Sequence, residues 1–226
     1  MSLIKKTREL NALYVEDDPM VRNSTLDILE DLFRRVYMAK DGQEGLKLFH
    51  DRDIQLVICD IRMPKMDGLE MAAQIRKSDT KTPILITSSH SEREELMEAI
   101  PLNITDYLIK PFTFERLQKA LHPCLERIEE SGVLSVMLAE GVSYNPLSSA
   151  ITTPDGHILV SGKERALLEL LIQNRGRVVH HEQIEEALYG EEFMPVAALK
   201  NLVYKLRKKV GKTAIANVHN TGLILH

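Results

Sequence analysis

Leu56-Val57-Ile58-Cys59-Asp60 is four apolar residues followed by a carboxylate. An unbroken apolar run of this length marks a strand buried on both faces of a parallel sheet. Comparable runs occupy 10–15, 83–87 and 106–109, with a weaker one near 36–39. Between them lie segments of helical period at 21–33, 43–49, 69–77, 92–100 and 114–128. Short buried strands alternating with helices imply βα units. Five of each in about 125 residues predict one doubly wound, five-stranded parallel α/β domain.

In such a sheet, ligands bind beyond the carboxyl ends of the strands, where the strand order reverses. The residues that follow each apolar run are therefore the candidates. The first run ends in Glu16-Asp17-Asp18, the third in Asp60, the fourth in Thr87, and the fifth is followed by Lys110-Pro111. Each has an ordinary explanation alone: a helix cap, a turn acid, a common strand-end hydroxyl, a surface lysine. Together, on four strand ends, they point to one pocket. Clustered carboxylates repel and call for a compensating cation. Mg²⁺ fits, because it binds one or two carboxylates, keeps waters and shares phosphate oxygens. One carboxylate can then act as a phosphoryl-accepting nucleophile, with Lys110 opposite the metal and Thr87 bonding a phosphoryl oxygen.

The pattern changes after residue 131. Gly132 breaks a helix, and strand-like pieces follow with turn residues at Gly141, Asn145-Pro146 and Pro154-Asp155-Gly156. Asp-Gly between apolar stretches signals a hairpin. Helical segments are predicted at 163–174, 183–189 and 196–210, and a closing hairpin at 217–225. The predicted organisation is thus a first domain at 1–128, a linker at 129–134 and a smaller α+β domain at 135–226.

The net charge is −4 over 226 residues, which argues against a chain that coats nucleic acid uniformly. Yet 200–212 carries Lys200, Lys205, Arg207, Lys208, Lys209 and Lys212 without an acid. Alone, such a run is an ordinary solvated helix face. Cys59 and Cys124 are the only cysteines, so no disulfide framework or zinc spacing exists. No apolar run reaches the roughly 18 residues of a membrane span, and Lys5-Lys6 interrupts any signal-like core. These features predict a cytoplasmic protein with no membrane partner.

The first half resembles the receiver domain of bacterial two-component response regulators, with its flavodoxin-like fold. The resemblance is carried by Leu13-Tyr14-Val15-Glu16-Asp17-Asp18, Asp41-Gly42, Asp60-Ile61-Arg62-Met63-Pro64-Lys65-Met66-Asp67-Gly68, Ile86-Thr87-Ser88 and Tyr107-Leu108-Ile109-Lys110-Pro111. It implies that Asp60 is phosphorylated by a sensor histidine kinase. It implies that Glu16, Asp17, Asp60 and the backbone carbonyl of Arg62 hold Mg²⁺, and that Thr87 and Tyr107 form a switch pair. Aligned from Val15, the family's acidic pair falls on Glu16 and Asp17 rather than on Asp17 and Asp18.

The second half resembles the winged helix-turn-helix output domain of the OmpR/PhoB subfamily, through Val160-Ser161-Gly162-Lys163-Glu164-Arg165, Gly176-Arg177-Val178-Val179-His180 and Val203-Tyr204-Lys205-Leu206-Arg207-Lys208-Lys209-Val210. In that context the basic run becomes a recognition helix. Leu199, Leu202, Val203, Leu206 and Val210 recur at core spacing. Lys200, Asn201, Tyr204, Lys205, Arg207 and Lys208 remain for promoter DNA, with the cations on phosphates and Asn201 and Tyr204 on base edges. The chain departs from the subfamily at Lys200, where an acid is usual. It also departs at Asn220-Thr221-Gly222-Leu223, where Gly-x-Gly-Tyr is usual, and at Lys119-Ala120, where Ala-Arg is usual.

The resemblance implies a phosphoacceptor regulator of transcription rather than an enzyme, with at most Mg²⁺-dependent self-phosphotransfer and autodephosphorylation. A second copy of the chain, through the receiver domain, and RNA polymerase are further candidate partners. Two other classes compete. An aspartate-nucleophile phosphatase typically has a second acid two residues after the nucleophile, where Arg62 stands here. An interaction-only regulator would show no salt-dependent retention on DNA.

Overall fold

The computed structural model describes residues 3–89, 97–190 and 195–226 and divides the chain into two compact units, Met1–Val133 and Leu134–His226. The first unit contains α1 (Leu3–Thr7), β1 (Asn11–Val15), α2 (Pro19–Leu32), β2 (Arg35–Ala39) and α3 (Gly42–Asp51). It continues through β3 (Leu56–Asp60), α4 (Gly68–Ser78), β4 (Ile84–Ser88), β5 (Asp106–Ile109) and α5 (Phe114–Ser131). All five strands are parallel, in the order β2-β1-β3-β4-β5. The order reverses between β1 and β3, so the crevice opens at the carboxyl ends of these two strands.

Every residue of β1, β3 and β4 is buried, as their continuous apolar runs require. Leu13, Val15, Val57, Cys59, Ile84 and Ile86 share one core cluster with Met71, Ala72 and Ile75 of α4. Burying each such aliphatic side chain stabilises the fold by about 1.5–3 kcal/mol before entropy is counted. The strand-to-helix turns end in caps. Asp18, Asp41, Asp67 and Thr113 accept backbone N–H groups at the starts of α2, α3, α4 and α5. Pro19 at the first turn of α2 draws that helix start ahead of the residue 21 expected from periodicity.

The helix expected at 92–100 lies largely outside the described residues. Met97–Ala99 are helical and run into a 3₁₀ turn at Ile100–Leu102. The linker expected at 129–134 is shortened from its amino side. Residues 129–131 form the last turn of α5, where Lys6 pairs with Glu129 at 3.0 Å. The helix ends only at Gly132, in the left-handed region at φ +66°.

The second unit opens with an antiparallel sheet in the order β6-β7-β8-β9: β6 (Val136–Ala139), β7 (Val142–Asn145), β8 (Ala150–Thr153) and β9 (Gly156–Leu159). The Pro154-Asp155-Gly156 turn joins β8 to β9, as its sequence predicted. Then come α6 (Gly162–Gln173), β10 (Val179–His180), α7 (His181–Tyr189), α8 (Val196–Val210), β11 (Ile215–Val218) and β12 (Gly222–Leu225). The last three strands form a sheet in the order β10-β12-β11. Leu199, Val203, Leu206 and Val210 of α8 are buried against Leu167, Leu171, Ile184, Ile215 and Leu225, with Leu202 partly buried beside them. Asn220 takes the left-handed conformation at φ +52°, so the altered wing turn closes without its usual glycine. Leu223, where a tyrosine is usual, is buried in this core. Three helices with a terminal antiparallel hairpin make a winged helix. Among the described residues no helix is long and apolar enough to cross a membrane.

Candidate functional site

The carboxyl ends of β1 and β3 bring Glu16, Asp17 and Asp60 together, with one carboxylate oxygen from each lying within 4.8 Å of the others. Glu16 and Asp60 are buried and Asp17 is exposed. The neighbouring acid stays out of the cluster. Asp18 Oδ1 accepts the N–H groups of Met20 at 2.7 Å and Val21 at 3.1 Å, capping α2. Arg22, one turn into that helix, donates to the carbonyls of Glu16 at 2.6 Å and Asp17 at 3.1 Å, which fixes the path of the loop.

Lys110, just past β5, reaches back across the sheet. Its ammonium pairs with Glu16 Oε2 and lies 3.0 Å from Asp60 Oδ2. The other Asp60 oxygen accepts the N–H of Ile61 at 2.9 Å. Tyr14 donates its hydroxyl to Glu16 Oε2 at 3.2 Å. Burial pushes the carboxyl groups of Glu16 and Asp60 above their ordinary values, and Lys110 pulls both back down. Repulsion between the carboxylates adds to the upward push.

Thr87 is the register partner of Asp60 across β3 and β4. Its Oγ1 is buried and has no hydrogen-bond partner among the described residues. A buried hydroxyl left unpaired costs about 1–3 kcal/mol, so the position suits a group that arrives there. Tyr107 on β5 is partly buried against the core cluster beneath. Arg62 is exposed, two residues past Asp60, on the rim of an open cleft of about 550 Å³ lined also by Asp17, Met63 and Glu98. The donors fit a small hard cation: three carboxylates, all oxygen ligands, on adjoining strand ends.

Two supports of this pocket escaped the sequence reading. The first is Gly68. A Cβ there would stand 2.1 Å from the Asp60 carbonyl oxygen, so only glycine lets α4 begin against the end of β3. The second is a latch on the loop that follows Asp60. Lys65, at φ +69°, pairs with Asp41, the cap of α3, and the Gly42 N–H donates to the Met66 carbonyl at 3.0 Å. The Asp-Gly and Met-Asp-Gly motifs were visible in the sequence, but their contact was not.

On the second unit, Lys200, Asn201, Tyr204, Lys205 and Lys208 are exposed along α8. Lys208 lies 4.8 Å from the centre of the Tyr204 ring, a cation–π contact that steadies both side chains. Arg207 is expected on this face as well, and it stands at the margin of the face. It is half-buried, and its guanidinium bonds to β11. The physical reason is helical phase. Arg207 follows Leu206 and lies one turn past Val203, both buried, so it emerges beside the core stripe.

The chain matches the response regulator receiver domain over residues 12–122 and the C-terminal domain of transcriptional regulatory proteins over residues 155–225. It is 31% identical over 218 residues to the transcriptional regulatory protein QseB of Escherichia coli O157:H7, covering 96% of this chain and 99% of that one. It is 32% identical over 201 residues to the response regulator MprA of Mycolicibacterium vanbaalenii, covering 87% of each. Among solved structures, the N-terminal domain of a Wolinella succinogenes protein is similar at 35% identity and a TM-score of 0.50, over 54% of this chain and 98% of that one. Receiver sheet, acidic strand ends and winged helix thus occur in one chain, in this order, and the chain belongs to the OmpR/PhoB-type response regulators of two-component systems, which join a receiver domain to a DNA-binding domain that regulates transcription.

Proposed function

We propose that Asp60 is the phosphoacceptor of a sensor histidine kinase and that its phosphorylation, dependent on Mg²⁺, switches promoter binding by α8. The observation that carries this reading is the meeting of Glu16, Asp17 and Asp60 beside Lys110 and the Thr87 hydroxyl, which has no hydrogen-bond partner among the described residues. Glu16, Asp17, Asp60 and the carbonyl of Arg62 would hold the metal, Glu16 partly through water. Bound Mg²⁺ would neutralise charge on the transferring phosphoryl group.

A carboxylate oxygen of Asp60 attacks the phosphorus, and the kinase imidazole leaves with the electrons of the P–N bond. Lys110, already within bonding distance of Asp60, turns to a phosphoryl oxygen. Thr87 donates its hydroxyl to another, and the Tyr107 ring moves into the space that Thr87 vacates. The altered receiver face then biases pairing with a second copy of the chain. Pairing raises the effective concentration of the second winged helix at an adjacent half-site.

On DNA, Lys200, Lys205 and Lys208 meet phosphates, while Asn201 and Tyr204 reach base edges in the major groove. RNA polymerase is the further partner of a promoter-bound regulator, and the cytoplasm is the compartment that holds kinase, DNA and polymerase together. The chain's own chemistry is limited to self-phosphotransfer from small donors and slow autodephosphorylation. The test is labelling by acetyl phosphate with and without Mg²⁺. Labelling of wild type in both conditions, or of Asp60→Asn at all, would overturn the assignment.

A further inference from the structure

The basic run of α8 divides by direction. Lys200, Lys205 and Lys208 are exposed with Asn201 and Tyr204. Arg207 points to the terminal hairpin instead. Its Nε donates to the Ile215 carbonyl at 2.9 Å and its Nη2 to Oδ1 of Asn217 at 3.1 Å. Both acceptors belong to β11, one of the two edge strands of the sheet β10-β12-β11. The His226 N–H bonds the Ala214 carbonyl at 3.1 Å. By the alternation of an antiparallel ladder, the next carbonyl, that of Ile215, therefore points away from β12. Arg207 fills the acceptor that the sheet leaves open.

We infer that Arg207 is a positioning residue of the DNA interface: with Asn217 it ties the β11–β12 hairpin to α8, and so fixes the wing relative to the exposed lysines, rather than binding phosphate itself. The inference rests on the reading of α8 as the DNA-binding helix. Ile215, Leu223 and Leu225 anchor the hairpin in the core, and β10 pairs with β12 over only two positions, so the bonds from Arg207 add a directional tie on the β11 side. The turn beyond Val218 carries exposed His219 and Asn220. A guanidinium suits the task because its planar fork holds two acceptors at fixed separation, which an ammonium cannot do. Reaching a phosphate would cost Arg207 both bonds.

The test uses the full chain and a fluorescently labelled duplex of mixed sequence, with affinity measured across a range of salt concentrations. Lys205→Ala is the reference for a direct phosphate contact and lowers the salt slope by about one. Arg207→Lys keeps the charge and loses the fork; Asn217→Ala removes one acceptor at an exposed position. Each weakens binding about three- to tenfold with the slope unchanged, and the double variant is no weaker than Arg207→Lys alone, as coupled partners require. Amide exchange across 215–225 speeds up in both variants. The inference is overturned if Asn217→Ala binds and exchanges like wild type while Arg207→Ala lowers the slope by about one. If wild type shows no salt-dependent retention on the duplex, the DNA reading itself fails. The exchange data then decide whether the tie holds the hairpin.

Discussion

Asp17 and Asp18 are identical side chains one residue apart, and the backbone gives them different surroundings. Asp18 caps α2 through two backbone N–H groups, whereas Asp17 joins Glu16 and Asp60. Asn caps a helix about as well as Asp. Asp18→Asn should therefore keep both stability and acetyl phosphate labelling, whereas Asp17→Asn should lose Mg²⁺-dependent labelling; equal labelling of the two would remove Asp17 from the metal set. Asp41 allows a pH prediction. The Lys65 ammonium and the Glu44 N–H hold its carboxyl below the ordinary value, despite burial. A depressed folded value contributes stability that is present above the unfolded pKa and is lost as pH falls through the folded one. Asp41→Asn keeps the cap but removes the charge. It should unfold with about 0.2–1 kcal/mol less stability at neutral pH, small because Lys65 is half-exposed. The gap to wild type should close below about pH 4, where the unfolded carboxyl also protonates. Thermal unfolding across pH measures this, and a gap that persists in acid would detach it from the charge pair.

Elements meet at places that no single segment specifies. The start of α4 lies against the last residue of β3, and Gly68 makes that approach possible. Gly68→Ala puts a methyl group where the Asp60 carbonyl stands. It should cost about 1–3 kcal/mol of stability and reduce labelling in a still-folded sample, read by calorimetry and by acetyl phosphate incorporation together. Wild-type behaviour in both would mean that the helix start can shift freely. In the second unit, α8 is held on two sides. Lys209 bonds Glu164 at 2.8 Å and the Leu159 carbonyl at 2.9 Å, and Arg207 bonds β11. What remains exposed is a short stripe. Asn201→Ala should change the sequence preference of binding, whereas Lys205→Ala should weaken all sequences about equally. Selection from a randomised duplex pool distinguishes the two, and an unchanged preference removes Asn201 from base reading.

At the scale of the molecule, the proposed phosphorylation of Asp60 requires the receiver to convert one bond into a change in DNA binding. Dimerisation is the expected route, although the residues at 119 and 120 depart from the subfamily. Ala120 is buried, and Lys119 is paired with Glu115 of its own helix at 2.8 Å. Beryllofluoride with Mg²⁺ should raise the solution mass of wild type and leave Asp60→Asn unchanged, as read by light scattering. A wild-type mass that stays constant while beryllofluoride is bound would exclude dimerisation as the route.

The sequence by itself determined the parallel sheet, because a strand buried on both faces reads as a continuous apolar run, and residues 12–15, 56–59 and 84–86 are such runs. It also determined which strand ends carry acids, a hydroxyl and a lysine, and the core stripe of α8. These are local patterns with periods of two or 3.6 residues, legible wherever burial imposes them. The tertiary structure alone decided which glycine lies against Asp60, that Asp41 latches Lys65, and that the Arg207 guanidinium meets β11. Each of these depends on the approach of segments distant along the chain or on side-chain direction within one turn, and residue order does not encode either distance.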